Sequence, residues 1–271
     1  MIQFSEAQPL IEALEGNEFA FVPTMGNLHL GHLSLIRTAK GLNIPVVCSI
    51  LVNKLQFGAN EDFDSYPRTL SADLDALKEL GCDYVFTPNN DLYHDIDELK
   101  CAPELSQILC GKSRPIFFDG IITILNWFFN TLKPHHVFMG EKDFQQLFIV
   151  KNFVTKHHPD ITIHGVPTVR EPSGLAMSSR NNLLSEDLRS HAAKFYQMLK
   201  ESVDLFPDIP ISQIQKQFKS MILVAGFEYD YFEIFDKLDI TNCNPTSKPI
   251  VAASAVTLEG VRLIDNIIVD F

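Results

Sequence analysis

The sequence predicts an α/β fold, a Rossmann-like doubly wound parallel sheet followed by a smaller C-terminal α+β domain. The first observation is that residues 44–52 are apolar and rich in β-branched side chains, as in parallel strands that helices cover on both faces. The second is that such runs alternate with helical patterns up to residue 166, which implies right-handed crossovers. The third is a change of pattern after residue 182, where two helical segments precede runs typical of antiparallel strands.

Each element follows from a local pattern. Residues 5–16 have an amphipathic helical pattern with Ser5 as a candidate N-cap. We expect strands at residues 19–22, 44–52, 83–86, 137–140, 161–166, 229–235, 249–257 and 262–269. We expect further helices from His32, over residues 70–80, 120–132 and 144–157, and around 185–205 and 212–225. Residues 87–120 give no clear prediction. We place the domain boundary near 175–182, with residues 1–177 and 178–271 as the two domains.

Composition limits the classes of function. The 271 residues carry a formal net charge of −12, which argues against a nucleic-acid partner. The five cysteines form no C-x-x-C pair, so we expect buried free thiols in a reducing compartment. The N-terminus does not resemble a signal peptide, and no apolar run reaches the roughly 20 residues that span a membrane. We therefore expect a cytoplasmic protein with no membrane partner.

The stretch from Phe19 to Lys40, FAFVPTMGNLHLGHLSLIRTAK, predicts a strand, a glycine-bearing turn and a helix N-terminus. The unpaired backbone N–H groups and the positive end of such a helix bind anions. His29 and His32 add two imidazoles, which can be neutral or charged near pH 7. The pattern indicates a nucleotide-phosphate site.

Three more polar clusters follow predicted strands, where open α/β sheets bind ligands. They are residues 53–56, 140–143 and the loop that reaches Met177-Ser178-Ser179-Arg180. By themselves, the charged residues 140–143 could be a solvated turn, and the two serines could simply cap a helix. Convergence of all four clusters on one site is the stronger prediction.

These segments resemble the signature stretches of the pantoate–β-alanine ligase family. The resemblance rests on residues 23–32, 52–57, 66–69, 140–147, 174–181 and the closing 262–266, in order along nearly the whole chain. It implies a two-step reaction in which pantoate attacks the α-phosphorus of ATP and the amine of β-alanine then displaces AMP from pantoyl adenylate. It also implies Mg²⁺ on the ATP phosphates, a homodimer formed through the larger domain, and a C-terminal domain that acts as a lid.

The resemblance implies a role for individual residues. His32 would be the proton donor to the developing charge and His29 a second phosphate contact, with Lys142, Ser178, Ser179 and Arg180 neutralising phosphate. Gln56 and Gln146 would bind pantoate, and Gln56 would also serve β-alanine. The ATP site would comprise Met25, Gly26, Asn27, Leu28, His29, Leu30, Gly31, His32, Gly140, Glu141, Lys142, Asp143, Val169, Met177, Ser178, Ser179 and Arg180.

Some assignments are weaker. Asn53 and Tyr66 are further candidates for the pantoate pocket. Asp73 could contact a metal, but we favour an exposed carboxylate in the first turn of a helix. No residue is assigned as a protein ligand of a metal.

The chain departs from the family pattern after Pro115, where Gly-His-Phe-Arg-Gly is usual and residues 116–120 read IFFDG. Phe117 and Asp119 replace basic residues, Trp127 stands where Lys is common, and Lys54 where Pro is common. If the lost cations hold phosphate in relatives, another cation must replace them here. The aromatic residues around Trp127 are either ordinary core or a self-association surface.

Two other functions stay open at this point. A related nucleotidyltransferase or aminoacyl-tRNA synthetase shares the histidine motif, although the acidic charge disfavours a tRNA partner. A non-catalytic nucleotide-binding relative would explain the lost basic residues.

Overall fold

The computed structural model describes residues 1–59, 61–94, 96–247 and 249–270. Its larger sheet contains six parallel strands: β1 (Ile2–Phe4), β2 (Ala20–Thr24), β3 (Val46–Ile50), β4 (Tyr84–Phe86), β5 (His136–Gly140) and β6 (Thr162–Val166). The spatial order is β1-β4-β3-β2-β5-β6. The chain therefore winds outward in both directions from β2, and the predicted doubly wound fold is confirmed. The switch point between β2 and β5 is where such sheets bind ligands.

Seven α-helices among the described residues accompany this sheet: α1 (Ala7–Leu14), α2 (Leu30–Lys40), α3 (Leu70–Glu79), α4 (Pro103–Ser106), α5 (Cys110–Ser113), α6 (Phe117–Leu132) and α7 (Phe144–His157). One face of the sheet packs on α1, α6 and α7 through an apolar cluster that includes Phe21, Phe128 and Val150. The opposite face packs on α2 and α3 through Ile36 and Leu77. The apolar strands are thus covered on both sides, as their composition predicts.

At the N-terminus one strand was missed and one local prediction was wrong. Strand β1 was not predicted, because its three residues form a strand only by pairing with β4, Ile2 opposite Tyr84. Ser5 does not cap α1: the N-cap residue is Glu6, and its side chain makes no capping hydrogen bond. Both features depend on how residues 2–6 pack against other parts of the folded chain, which the local sequence does not show.

The aromatic residues around Trp127 belong to the core. Phe118, Phe128 and Phe129 are buried, and Trp127 stacks on Phe86 with ring centroids 6.3 Å apart. The core interpretation therefore holds for Phe118, Phe128 and Phe129, while Phe117 and Trp127 are partly buried and pack against that core. All five cysteines are free thiols, and four of them are buried.

The C-terminal part contains α8 (Glu186–Val203), α9 (Ile211–Val224) and an antiparallel sheet of β7 (Glu228–Asp236), β8 (Ile250–Leu258) and β9 (Val261–Val269). The helices cover one face of this sheet through a separate apolar cluster that includes Phe195, Phe218 and Phe232. The predicted α+β arrangement is confirmed; the last residue of the predicted domain, Phe271, lies outside the described residues. Within the described chain, no helix is both long and apolar enough to cross a membrane.

Candidate active site

A cavity of about 670 Å³ lies at the carboxyl ends of β2, β3, β5 and β6, and β9 of the C-terminal sheet closes one side. It brings together the four polar clusters that follow these strands. Of the residues predicted to bind ligands, those that line the cavity are Met25, His29, Gly31, His32, Gln56, Gly140, Lys142, Asp143, Gln146, Val169, Met177, Ser178, Ser179 and Arg180, together with the weaker candidates Asn53 and Tyr66. Gly26, Asn27, Leu28, Leu30 and Glu141 are outside this lining.

Asp73 explains why part of the histidine turn faces away from the cavity. Its two carboxylate oxygens accept the backbone N–H groups of Asn27 (3.0 Å) and Leu28 (2.8 Å), and the Thr69 hydroxyl donates to it at 3.1 Å. Asp73 is only 3% exposed. The expectation of an exposed helix carboxylate was therefore wrong, and these oxygens are engaged by the turn rather than placed as metal ligands. The backbone N–H groups of Asn27 and Leu28, which were expected to face phosphate, donate hydrogen bonds to Asp73 instead.

The two histidines fix each other at the start of α2. His29 is the N-cap, and its Nδ1 accepts the Gly31 N–H at 3.1 Å, while the His29 N–H donates to Nδ1 of His32 at 3.4 Å. The rings lie 4.1 Å apart between centroids. A Cβ at Gly31 would stand 2.8 Å from Cε1 of His29, so only glycine permits this close packing.

Both histidines are neutral at physiological pH. Burial lowers the pKa of His29 to about 4, and the positive charge of Lys142 contributes. Burial lowers the pKa of His32 to about 3, with further contributions from His29 and Lys142. Because each Nδ1 accepts a backbone hydrogen bond, the proton of each neutral ring is on Nε2. Each ring therefore offers one Nε2–H donor.

The turn after β3 is held by a buried amide pair. Asn53 Nδ2 donates to Gln56 Oε1 and to the Gly120 carbonyl, each at 3.0 Å. This leaves the Gln56 NH₂ group as the donor of that side chain. A Cβ at Gly120 would overlap the Leu55 carbonyl, so the glycine lets α6 lie directly against the turn.

Two adjacent glutamines at the start of α7 have different surroundings. Gln145 is buried; its Nε2 donates to the carbonyls of Leu105 and Ile108 at 2.9 and 2.8 Å, and its Oε1 accepts the Cys110 N–H at 3.0 Å. Gln146 is half-buried. Both glutamines are in the cavity lining, but the Gln145 amide is engaged by these three backbone groups. The geometry therefore favours Gln146 as the ligand-binding amide of the two.

The loop after β6 returns to the histidine turn. Met177 N–H donates to the Val169 carbonyl at 3.0 Å, and Ser179 Oγ donates to the Asn27 carbonyl at 3.3 Å. Ser178 accepts the Arg180 N–H at 3.3 Å. Ser178 therefore caps the short 3₁₀ helix Ser179–Leu183, and this hydrogen bond orders the segment that carries Arg180.

Sequence reasoning missed two acidic side chains that pair with arginines at the cavity. Glu61 accepts two hydrogen bonds from Arg114 at 2.7 and 2.6 Å, and Asp62 accepts two from Arg180 at 3.2 and 3.0 Å. Partial burial alone would raise the pKa of Glu61, but Arg114 outweighs it and the pKa is lowered. The only signal was the polar loop from Gly58 to Arg68, which does not identify partners.

Arg114 also bears on the residues that depart from the family pattern. Its guanidinium lies 3.6 Å from the centroid of the Phe117 ring, and both residues line the cavity. Asp119 is not in the lining: it accepts the Cys101 N–H at 2.8 Å and pairs with Lys100 at 2.9 Å. Arg114 is thus a cavity cation adjacent to the altered segment.

Comparison with known sequences identifies the family over nearly the whole chain. The family model described as pantoate-beta-alanine ligase matches residues 2–268. A pantothenate synthetase of Shewanella piezotolerans (strain WP3 / JCM 13877) is 42% identical over 267 residues, covering 97% of this chain and 95% of its own. One of Idiomarina loihiensis is 44% identical over 256 residues, covering 93% of this chain and 91% of its own.

Solved structures agree. Pantothenate synthetase from Thermus thermophilus superposes with a TM-score of 0.93 at 33% identity, covering 100% of both chains. Pantoate-beta-alanine ligase from Francisella tularensis, complexed with beta-gamma ATP and beta-alanine, has a TM-score of 0.82 at 32% identity and covers 99% of this chain and 97% of its own. The residues of the cavity, the fold and these similarities agree, and they show that the chain belongs to the pantoate–β-alanine ligase family.

Proposed function

We propose that this ATP-dependent ligase condenses pantoate with β-alanine through a pantoyl-adenylate intermediate. The observation that carries the proposal is that neutral Nε2–H donors, a lysine and two glutamines line one cavity at the switch point of the sheet. The Francisella relative, complexed with an ATP compound and β-alanine, supports the choice of substrates.

In the first step, a pantoate carboxylate oxygen bonds to the α-phosphorus of ATP, and the bond from that phosphorus to the bridging oxygen breaks to release pyrophosphate. Charge grows on the phosphate oxygens, so catalysis consists mainly of positioning and charge stabilisation. The Nε2–H groups of His29 and His32 donate hydrogen bonds to these oxygens. Lys142 supplies positive charge beside the two rings.

Arg180, with Ser178 and Ser179, completes the phosphate site. In the structure Arg180 is paired with Asp62. A triphosphate offers the guanidinium a stronger anionic partner, so ATP binding exchanges Asp62 for phosphate.

In the second step, the β-alanine amine attacks the acyl carbon of the adenylate. The carbon–oxygen bond to AMP breaks, and the nitrogen loses a proton as the amide forms. A carboxylate needs this activation because AMP is a far better leaving group than an oxide. Gln56 and Gln146 hold the pantoyl group, because an amide can donate to a carboxylate and accept from a hydroxyl.

Mg²⁺ fits this site as a companion of the ATP phosphates. Among the described residues there is no group of three or more His, Cys, Asp or Glu side chains arranged to hold a metal. Mg²⁺ prefers to keep several waters and to bind phosphate with one or two carboxylates. Asp143, which lines the cavity, is the carboxylate that would receive it. When bound, Mg²⁺ neutralises phosphate charge.

The test is to incubate the protein with ATP, Mg²⁺, pantoate and β-alanine. We expect AMP formation that requires both acids, and exchange of labelled pyrophosphate into ATP that requires pantoate alone. Exchange without added pantoate, or AMP formation without exchange, would reject the adenylate route. ATP binding with no turnover would favour a non-catalytic relative.

We also propose residues 1–177 and 178–271 as the two domains, with the second acting as a lid. Each part has an apolar core of its own, which supports this division. A third buried cluster, which includes Phe144 and Phe235, packs the two parts against each other. The free thiols support a cytoplasmic location. The family resemblance supports a homodimer formed through the larger domain, which light scattering on the purified protein would test.

A further inference from the structure

The closing segment from Arg262 to Asn266 is a motif for which the proposed function gives no role. It lies in β9, beside the 3₁₀ turn Glu141–Asp143 that carries Lys142. The Asn266 side chain is 5% exposed, and its Nδ2 donates to the carbonyls of Glu141 (2.9 Å) and Lys142 (2.8 Å). Both amide hydrogens are thus donated to the backbone of a single turn.

Asn266 is itself firmly held. Its backbone N–H donates to Asp265 Oδ1 at 2.8 Å, and Asp265 is 3% exposed. Asp265 accepts two hydrogen bonds from Arg170 at 2.6 and 2.9 Å. Arg170 lies 3.7 Å from the centroid of the Tyr196 ring. This network ties β9 to the loop after β6, so Asn266 contacts the turn from a fixed position.

The turn needs such support because its own sequence supplies little. No side-chain cap closes the 3₁₀ turn at Gly140. The position of the turn sets where Lys142 stands relative to His29 and His32, whose pKa values its charge helps to lower. A displacement of about 1 Å in such a group can cost on the order of 100-fold in rate.

We propose that Asn266 is a positioning residue for the adenylation step: from the C-terminal sheet, it holds the backbone of the turn so that Lys142 points at the phosphates. This proposal rests on the proposed role of Lys142. It makes the C-terminal sheet part of the assembled site, and any lid movement that breaks the Asn266 contacts also releases Lys142.

The experiment is a double-mutant cycle, measured as pantoate-dependent pyrophosphate exchange per folded protein. We expect Asn266→Ala to lower the exchange rate by about 10- to 100-fold. In a Lys142→Ala background, the same change should cost less than about twofold, since its effect passes through Lys142. An undiminished loss in the Lys142→Ala background would overturn the proposal.

Two further variants separate positioning from stability. Asn266→Ser retains one possible donor, and we expect it to fold and to lose less activity than Asn266→Ala; equal losses would count against the proposal. Ser254→Ala is the matched control, because the buried Ser254 hydroxyl donates to the Tyr231 carbonyl at 2.7 Å on the strand beside Asp265. We expect Ser254→Ala to lower the melting temperature. Any fold-change that it causes in the exchange rate should be the same in the Lys142→Ala background as in the unmodified protein.

The outcomes also distinguish this proposal from the proposed function. If Lys142→Ala alone exchanges pyrophosphate at the normal rate, the assigned role of Lys142 fails, and the positioning role fails with it. If Lys142→Ala is slow but the Asn266→Ala effect is independent of it, only the positioning role fails.

Discussion

At the scale of single residues, the state of His29 and His32 decides what chemistry the turn can perform. Sequence alone allowed either a charged or a neutral pair. Burial and the nearby Lys142 lower both pKa values to about 4 and about 3, so the rings act as neutral hydrogen-bond donors. Under the proposed function, the full positive charges that stabilise phosphate would therefore be those of Lys142 and the arginines.

Replacing His32 with alanine removes a buried donor aimed into the cavity. We expect turnover to fall by roughly 10²–10³-fold, as for loss of one transition-state hydrogen bond. Steady-state kinetics on the purified variant would measure this. A turnover number close to that of the unmodified enzyme would remove His32 from the mechanism.

The lowered pKa values predict a pH dependence. An unfolded chain protonates these histidines near pH 6.5, but the folded chain does so only near pH 4 and pH 3. The unfolded state thus binds more protons below pH 6.5, so the contribution of the pair to stability is lost progressively as the pH falls toward those values. Long-range ¹H–¹⁵N spectra should show both rings as Nε2–H tautomers from pH 8 to pH 5. The His32→Ala variant would assign the imidazole signals to the two residues. Titration of either ring near pH 6.5 would contradict the prediction.

The adjacent glutamines allow a matched comparison. Gln146→Ala should raise the Michaelis constant for pantoate more than that for ATP, because Gln146 is the half-buried glutamine in the cavity lining and is the one assigned to pantoate. Gln145→Ala should instead lower stability by about 1–3 kcal/mol, because it leaves buried backbone groups without partners. Initial-rate kinetics and denaturant unfolding would measure both. Equal effects of Gln146→Ala on the two constants would reject its assignment to pantoate.

At the scale of elements, the site depends on close approaches between segments that are distant in the chain. Helix α6 contacts the turn that carries Gln56 because Gly120 has no side chain. Asp73 on α3 holds the histidine turn through two backbone hydrogen bonds. These contacts set the positions of side chains whose identities were already visible in the sequence.

Gly120→Ala tests this dependence. The added Cβ overlaps the Leu55 carbonyl, so either α6 or the turn must move. We expect a loss of stability of about 1–3 kcal/mol and a higher Michaelis constant for pantoate, measured by denaturant unfolding and kinetics. A control at Gly81, where a Cβ has no atom within 4 Å but φ is +70°, should lower stability and leave the Michaelis constant unchanged. An unaltered pantoate constant in Gly120→Ala would contradict the argument.

At the scale of the whole molecule, both sheets contribute to one cavity. The larger sheet supplies the histidines, Lys142 and the glutamines, while β9 closes the opposite side. Two sets of contacts join the two parts. One is made by Asn266. The other is the pairing of Arg262 with Asp230, whose carboxylate accepts a hydrogen bond from Ser113. A ligand that contacts both the larger domain and the C-terminal domain binds best when the two are close together, so it favours that arrangement.

We therefore expect ATP and pantoate together to reduce the radius of gyration. Small-angle scattering would compare the free protein with the protein holding the adenylate formed in situ, with ATP alone as the control. Identical scattering profiles in all three samples would argue against a lid movement.

The sequence by itself determined the class of fold, most strands and helices, the histidine turn and the residues of the four clusters. These follow from local hydrophobic periodicity, turn residues and motif order, all of which are written along the chain. It also determined the family, because the signature stretches occur in order over nearly the whole length.

Only the tertiary structure decided how those residues are held and in which state of charge. Asp73 lies 46 residues from Asn27, and Asn266 lies 125 residues from Glu141, so no local pattern links them. The pairing of Arg114 with Glu61, the strand β1 and the neutral state of His32 likewise depend on contacts and burial that exist only after folding. Local sequence specifies which chemical groups are present, but long-range packing sets their hydrogen-bond partners, their protonation states and the orientation of their side chains.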